Sequence, residues 1–220
     1  MRKFILSNLV LSSVVATISV LVTNQFFLAE ETKTASLWVY ISRILFNQKE
    51  PPVEPRNGGS RDIPLLCMVS PDAPQVYRTV WNDRPFFLWQ GKVARIAVRL
   101  LHSNENLWIY PTAKIQSVTY KGEPLQPGKT YKWIVNGQQF VPFKIMEQEE
   151  RDRIGAELKN IENQLESAGA NPEVIALAKA NYFADHNLWS DVLQQIYSVP
   201  EPSSELLALR QDILGKLCQY

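Results

Sequence analysis

The stretch from residue 85 to residue 135 constrains the fold of this chain more than any other part. Apolar residues recur here at every second position, as in Phe87 and Trp89 or Tyr131, Trp133 and Val135, and polar turn sequences separate these segments. Side chains that alternate between apolar and polar with a period of two are typical of strands with one buried face. Asn136-Gly137, directly after the stretch, is a strong hairpin signal. Roughly seven short strands at regular turn spacing predict a β-sandwich over residues 62–145.

The last strand of this sandwich is predicted to lie at a sheet edge. It covers Gln139 to Ile145 and contains Pro142. Proline has no N–H to donate to a neighbouring strand, so it is confined to edges and bulges.

The period changes to that of a helix after Glu147. The apolar positions of the first helix fall on one stripe: Ile154, Leu158, Ile161 and Leu165. Its opposite face is charged, and we expect water to solvate that face. The residues of this face are Glu149, Glu150, Arg151, Arg153, Glu157, Lys159 and Glu162. Gly169 is expected to end this helix, and Asn171 with Pro172 to begin the next one.

The pattern from Leu177 to Pro200 is similar to one tetratricopeptide repeat, in a predicted helical domain at residues 146–220. The similarity rests on Leu177, Ala178, Tyr182, Leu188, Trp189, Val192, Leu193 and Pro200. The resemblance implies a helical pair that binds peptides; the alternative is a plain helical hairpin without that ability. About three repeats are needed for an independent array. We therefore expect these helices, and a last helix capped at Ser203, to lean on the preceding helix, the sandwich or a partner.

The N-terminus has the pattern of an export signal. Arg2 and Lys3 precede the uncharged, strongly apolar residues 4–22. Such a segment is either a cleaved signal peptide or a membrane anchor, and its length is near that of a bilayer span. No small-residue cleavage site follows, which favours an anchor at residues 1–28. The basic start would then remain in the cytoplasm, with the remainder outside.

Residues 29–61 are predicted to form a membrane-proximal segment followed by a linker rich in proline and glycine. The apolar patch at 35–47 is too short to span a membrane and contains Arg43. Either it lies at the membrane surface, with Trp38 and Tyr40 among the lipid headgroups, or it packs on the folded domain.

The sandwich residues carry two family resemblances. Leu125-Gln126-Pro127-Gly128, with Tyr131 and Trp133, resembles the corner of fibronectin type III-like domains. That resemblance implies that the Tyr131 hydroxyl bonds to upstream backbone and that Trp89 is a core residue. Residues 57–145 also resemble cyanobacterial exported proteins of the DUF928 type, through Gly58-Gly59-Ser60-Arg61, Cys67, the run at 83–89 and the run at 125–133. This second resemblance implies a cell-envelope protein without known catalysis.

Composition and motifs argue against several classes of function. The net charge is +1 and no basic reader motif is present, so no nucleic-acid partner is predicted. The two histidines, His102 and His186, give no metal-ligand or catalytic pattern, and no phosphate loop or nucleophile elbow is present. We predict no catalytic residue, no cofactor and no metal.

The two cysteines, Cys67 and Cys218, fit no metal-ligand spacing. They could pair as a disulfide in an oxidising compartment, or remain two separate buried thiols.

Two functions are therefore considered. The first is a non-catalytic envelope protein that is held at the membrane through residues 4–22, or secreted if cleaved. It would bind an unidentified protein partner through its C-terminal helices, with exposed aromatic residues as anchors. The candidate anchors are Trp81, Trp108, Trp189 and Tyr197. The second is a carbohydrate-binding module or hydrolase with a site on loops 101–107 or 120–130, where Trp108 and Tyr110 would stack on sugar rings.

Overall fold

The computed structural model describes residues 66–71 and 78–218, together with Trp38, Val39, Ile41 and Arg43, which are helical or lie within a helix. From residue 66 onward, the described part contains eight strands followed by four helices, the predicted order of β then α structure. The strands are β1 (Cys67–Ser70), β2 (Thr79–Val80), β3 (Phe86–Gln90), β4 (Arg95–Leu100), β5 (Trp108–Pro111), β6 (Ser117–Thr119), β7 (Thr130–Val135) and β8 (Gln139–Ile145). The helices are α1 (Gln148–Ser167), α2 (Pro172–Asp185), α3 (Trp189–Ser198) and α4 (Ser204–Leu217).

The strands form two sheets that share a core. A three-stranded sheet has the order β1-β3-β6, and a five-stranded sheet has the order β2-β8-β7-β4-β5. All pairings are antiparallel except that of β2 with β8. Phe87 and Trp89 from the smaller sheet pack in one cluster with Val98, Trp133 and Phe143 from the larger sheet. The predicted core position of Trp89 is confirmed.

The small sheet is covered on both faces. The alternate β3 side chains Phe86 and Leu88 belong to a second cluster that contains the helices, and α3 contacts β1, β2 and β3. The expectation that this strand is half buried was therefore wrong. Helices cover the face that would otherwise be exposed to water, which gives three layers: large sheet, small sheet and helices.

The prediction that β8 is an edge strand was wrong, because β8 lies between β2 and β7 in the larger sheet. Among the described residues, β2 pairs with β8 at Lys144 and Ile145. The N–H of Lys144 faces β2, because it donates to the carbonyl oxygen of Arg78. Backbone nitrogens two residues apart on a strand face the same side, so the nitrogen of Pro142 also faces the β2 side. Proline has no N–H to donate on this side, and no described residue of β2 pairs with Pro142.

The helix ends follow the local sequence signals. Gly169 adopts a φ of 75° after α1, where the N–H of Ala170 donates to the carbonyl of Leu165. The Asn171 side chain accepts from the N–H of Val174, and the Ser203 side chain accepts from the N–H of Leu206. These contacts satisfy the first N–H groups of α2 and α4.

The N-terminal predictions lie mainly outside the described residues, including residues 4–22. Within the described residues, no helix is both long and apolar enough to cross a membrane. Trp38 is 2% exposed and belongs with Ile41 to the helical core, where its indole N–H donates to Glu173 at 3.0 Å. Placing Trp38 among lipid headgroups was therefore wrong, and the alternative, packing on the folded domain, holds for these two residues.

Candidate functional site

The sheets and the helices are joined covalently at one point. Cys67 in β1 and Cys218, directly after α4, form a disulfide with their Cα atoms 5.8 Å apart. The alternative of two separate buried thiols is therefore not what the structure shows. The bond ties the first described strand to the end of the last helix across 151 positions of sequence.

Buried polar contacts continue this junction. The Ser70 hydroxyl lies 2.8 Å from the carbonyl oxygen of Phe86, to which it donates, and 3.0 Å from the hydroxyl of Ser190 at the start of α3. Both serines are buried. A small hydroxyl on each side lets the sheet and the helix approach closely while each polar group keeps a partner.

Asp191 is the central polar residue of the junction. It lies in the first turn of α3 and is 1% exposed. Its carboxylate accepts from the backbone N–H of Trp81 at 2.8 Å and from that of Asn82 at 3.0 Å. Two N–H groups that follow β2, which have no strand partner, are thus satisfied by a helix side chain.

Burial changes the pKa of the Asp191 carboxyl. Desolvation raises the pKa of Asp191 to about 7, against the two backbone hydrogen bonds and the positive charge of Arg151, which act to lower it. Removal from water dominates because the charged form loses more hydration than two N–H groups restore.

Arg151 in α1 completes the junction. Its guanidinium forms an ion pair with Asp83 at 3.0 Å and donates to the carbonyl oxygen of Trp81 at 2.8 Å. The Trp81 indole N–H in turn donates to the carbonyl oxygen of Arg151 at 3.1 Å. Arg151 was predicted on a solvated face; instead its side chain is largely buried by Trp81 and Asp83, because the segment after β2 packs on this side of α1.

A cleft of about 630 Å³ opens beside these contacts, between the sheets and α1. The sheet side supplies the Trp81 ring, Asp83 and the segment 124–127; the helix side supplies Gln148, Arg151, Asp152 and Gly155. The floor includes the buried Leu125, whose N–H donates to the carbonyl oxygen of Asp83. We call this the junction cleft. It is a concave surface that exists only where the two structural units meet.

The four predicted partner-binding aromatics do not form one exposed patch. Trp189 is 4% exposed within the helical core, so it was wrong as an anchor: its side chain faces the other helices rather than water. The Tyr197 ring lies 5.2 Å from that of Phe86, and the Tyr197 hydroxyl donates to the backbone carbonyl oxygen of Arg210. Trp81 lies in the junction, with its ring 5.5 Å from that of Phe183. Of the four, Trp81 alone lines the junction cleft.

The aromatic residues proposed for sugar stacking are engaged in the sheet core. Trp108 contacts the rings of Phe87, Tyr110 and Tyr120 at 5.1 to 6.2 Å. Of the two candidate loops, segment 124–127 of the second lines the junction cleft. The two histidines lie elsewhere: His102 is exposed, and His186 stacks on Tyr182 at 4.2 Å. Among the described residues, no group of histidine, cysteine and carboxylate side chains could hold a metal ion.

Asp191 and Arg151 were missed by sequence reasoning. An aspartate in the first turn of a helix ordinarily interacts with its own helix dipole. An arginine between two acidic residues, here Glu150 and Asp152, ordinarily forms part of a solvated surface. No local sequence signal distinguishes them, since their partners are 110 and 70 positions away.

Comparison of the chain with protein-family models, with curated proteins and with solved structures found no match.

Proposed function

We propose that this protein is a non-catalytic, extracytoplasmic interaction module that binds a protein partner in the junction cleft. The observation that carries the proposal is the cleft itself, which is built jointly by the sheets and α1. Its two walls are held together by the Arg151–Asp83 ion pair, and the buried Asp191 carboxylate fixes Trp81 of the sheet wall to α3. A rigid concave surface lowers the entropic cost of binding, because little of it must be ordered when a partner arrives.

The lining indicates the chemistry of the partner. Trp81, Pro124 and Pro127 provide rigid apolar surface, of the kind that packs against extended apolar segments. Asp83 and Arg151 neutralise one another, which leaves Asp152 as the exposed charge of the cleft. The fitting partner is therefore an extended segment with an apolar residue next to a lysine or arginine.

The side chains that line the junction cleft support a non-catalytic role. Its carboxylates are an ion-paired Asp83 and an exposed Asp152 that accepts from Gln148 at 2.6 Å. Neither is arranged as an acid and base pair, and the histidines lie outside the cleft.

The disulfide supports a location outside the cytoplasm. Stable disulfides form in the periplasm and other oxidising compartments, and are rare where thiols are kept reduced. Anchoring through residues 4–22, or secretion after cleavage, is the matching proposal for the N-terminus.

Two finer fold assignments belong to this proposal. The order of the two sheets supports an immunoglobulin or fibronectin III-like sandwich, as does the Tyr131 hydroxyl, which accepts from the N–H of Gln126 at 2.8 Å. The antiparallel pair α2 and α3, followed by α4, supports a tetratricopeptide-like unit. The DUF928 resemblance would place the protein in a cyanobacterial envelope, and it stays a prediction.

A site-specific cross-link tests the proposal. A photoreactive amino acid replaces Gln126, which is exposed at the cleft, or Gln138, which is exposed in the β7–β8 turn as a control. The full chain is irradiated in its own membranes. We expect an adduct of one discrete mass from position 126 and none of that mass from position 138.

A charge substitution then distinguishes a partner bound in the junction cleft from a protein that is only close to it. Asp152→Lys should abolish the adduct, because it repels the expected basic residue. Asp212→Lys is the matched control, since Asp212 also contacts a residue one turn away on an exposed helix face. Equal adducts from both positions, or an adduct insensitive to Asp152→Lys, would overturn the proposal.

A further inference from the structure

The near-zero net charge of the chain conceals a strong separation of charge. Residues 78–146, which form most of the sheets, contain ten lysines and arginines but three carboxylates, Asp83, Glu105 and Glu123. Residues 147–218, which form the helices, contain thirteen carboxylates and six lysines and arginines. The sheets therefore carry an excess of seven positive charges and the helices an excess of seven negative charges. A field of this kind attracts anions to the sheet side of the molecule.

A second cleft lies on the positive half. It has a volume of about 770 Å³ and is formed where β3 and β7 end and β4 and β6 begin. The junction cleft lies at the opposite ends of these strands. The lining side chains are Lys92, Val93, Ala94, Arg95, Lys114, Ile115, Gln116 and Asn136, together with Gly91. We call it the basic cleft.

The positive charges of the basic cleft are available to a ligand. The lining contains three cations, Lys92, Arg95 and Lys114, and no carboxylate. The ion pairs of the described residues involve Lys144, Arg151, Arg153, Lys179 and Lys216, and none of these lines the basic cleft. Three unpaired cations around one concavity repel each other, and an anion relieves that repulsion.

The backbone of the basic cleft is cross-linked and therefore preorganised. The Asn136 side chain accepts from the N–H of Ala94 at 2.8 Å and donates to the carbonyl oxygen of Lys92 at 3.3 Å. Thr112, on the other side, also bonds to this segment. Its backbone N–H donates to the carbonyl oxygen of Ala94, and its side-chain hydroxyl donates to the carbonyl oxygen of Val93. These contacts hold three loops in one arrangement before any ligand binds.

Lys114 lies in a strained backbone segment of the basic cleft. It adopts a φ of 80°, and Ala113 before it a φ of 34°. Residues with a Cβ atom rarely occupy this region, and such strain is often kept at binding sites. The strained backbone places a lysine, rather than a glycine, at the rim.

We infer that the basic cleft binds an acidic polysaccharide, one whose sugar units carry carboxylates. Lysine and arginine donate charge-assisted hydrogen bonds to carboxylates. The Gln116 amide can bond to sugar hydroxyls, and Val93 with Ile115 offers aliphatic surface to a sugar ring. A concave site of this volume accommodates a few sugar units, whereas a flat lipid surface would contact only the rim of the basic cleft.

This site differs from the carbohydrate site expected from the sequence. That expectation rested on Trp108 and Tyr110, whose rings contact each other and the sheet core. Charge, rather than aromatic stacking, would select the ligand in the basic cleft. The inference is independent of a protein partner in the junction cleft.

The test measures binding of the full chain, in a non-ionic detergent, to polygalacturonate, with neutral dextran as the uncharged polymer. We expect binding to polygalacturonate that weakens with added salt, and none to dextran. Removing two of the three cations by Lys92→Gln with Lys114→Gln should weaken binding by about tenfold or more. The matched control, Lys121→Gln with Lys129→Gln, removes the same charge from exposed positions outside the basic cleft and should change binding by less than about twofold.

Three results would overturn the inference. Absence of binding to polygalacturonate is the first. Equal loss in the two double variants is the second, because it shows a general charge effect rather than a site. The third is competition by phosphatidylglycerol vesicles that is as strong as competition by free polygalacturonate at equal charge, since it shows that any anionic surface suffices. A circular dichroism spectrum unchanged from that of the unmodified chain ensures that loss of binding is not loss of fold.

Discussion

The Asp191 carboxylate accepts a hydrogen bond from the backbone N–H of Trp81 at 2.8 Å, across 110 positions of sequence. A second bond, from the N–H of Asn82, gives one buried side chain two donors from the segment that follows β2. The segment that leaves the sheet is thus fixed to α3. Because Trp81 also contacts Arg151 on α1, this one carboxylate helps to set the geometry of the junction cleft.

Replacing Asp191 with alanine should destabilise the protein by about 3 kcal/mol, because two N–H groups in a partly buried segment lose their acceptor. Urea unfolding of the full chain, followed by tryptophan fluorescence, measures the change. Asp212→Ala is the control: its exposed pair with Lys216 should contribute less than about 0.5 kcal/mol. A cost for Asp191→Ala no larger than that of the control would show that the two N–H groups are satisfied by water.

The raised pKa of Asp191, about 7, predicts a pH dependence with a definite sign. The folded protein holds this proton at pH values where the unfolded chain has released it. The contribution of Asp191 to the free energy of unfolding is therefore complete below its ordinary acidic pKa, and is lost as the pH rises toward 7. Relative to Asp191→Asn, which does not titrate, the free energy of unfolding should fall on the order of 2 kcal/mol between pH 5 and pH 7.

Unfolding by urea at several pH values, in both proteins, measures that difference and cancels the titration of all other groups. A difference that stays constant, or grows as the pH rises, would mean that Arg151 and the two N–H groups keep Asp191 ionised throughout.

The parts of the structure that local sequence determines were predictable. Asn171, Ser203 and Gly169 act within four residues of themselves, so the ends of the helices could be found from the sequence. Strand β8 was bounded correctly because its flanking signals are equally local.

The junction was not predictable, because its contacts join residues that are far apart in sequence. The alternation in β3 indicated one buried face, yet Phe86 and Leu88 are buried as well, since helices cover the second face. Trp189 was predicted to bind a partner protein, whereas it packs in the helical core of its own chain. The first outcome had a local signal, because the continuous apolar run from Phe86 to Trp89 is typical of a strand buried on both faces. The second follows from no short window of residues.

Removing the disulfide by Cys67→Ala with Cys218→Ala should lower the free energy of unfolding by up to about 5 kcal/mol, the loop-entropy value for so long a closed loop. Urea unfolding measures the loss. The unmodified chain in the presence of a reductant should unfold at the same urea concentration as the double variant. A reductant without effect on the unmodified chain, after alkylation has shown that the bond is broken, would contradict this prediction.

Tyr131→Phe removes the hydroxyl that accepts from the N–H of Gln126 and should cost about 1 kcal/mol. Tyr110→Phe serves as the matched control, because no hydrogen bond joins the Tyr110 hydroxyl to a described residue. Thermal unfolding of both variants measures the difference. Equal midpoints for the two variants would show that the corner is held by its proline and glycine alone.

Glu173→Ala should destabilise the helical unit by about 3 kcal/mol, since this buried carboxylate serves three donors. It accepts from the Trp38 indole at 3.0 Å, and from the Ser203 N–H and hydroxyl at 2.8 and 2.6 Å. Trp38→Phe removes one of the three donors and keeps an aromatic ring in the core, so it should cost less than Glu173→Ala. Urea unfolding ranks the two variants, and protease cleavage within residues 44–65 reports whether the Trp38 segment is released. If Glu173→Ala left both stability and cleavage unchanged, the contact between Trp38 and the helices would have no role in holding the N-terminal segment against the helical core.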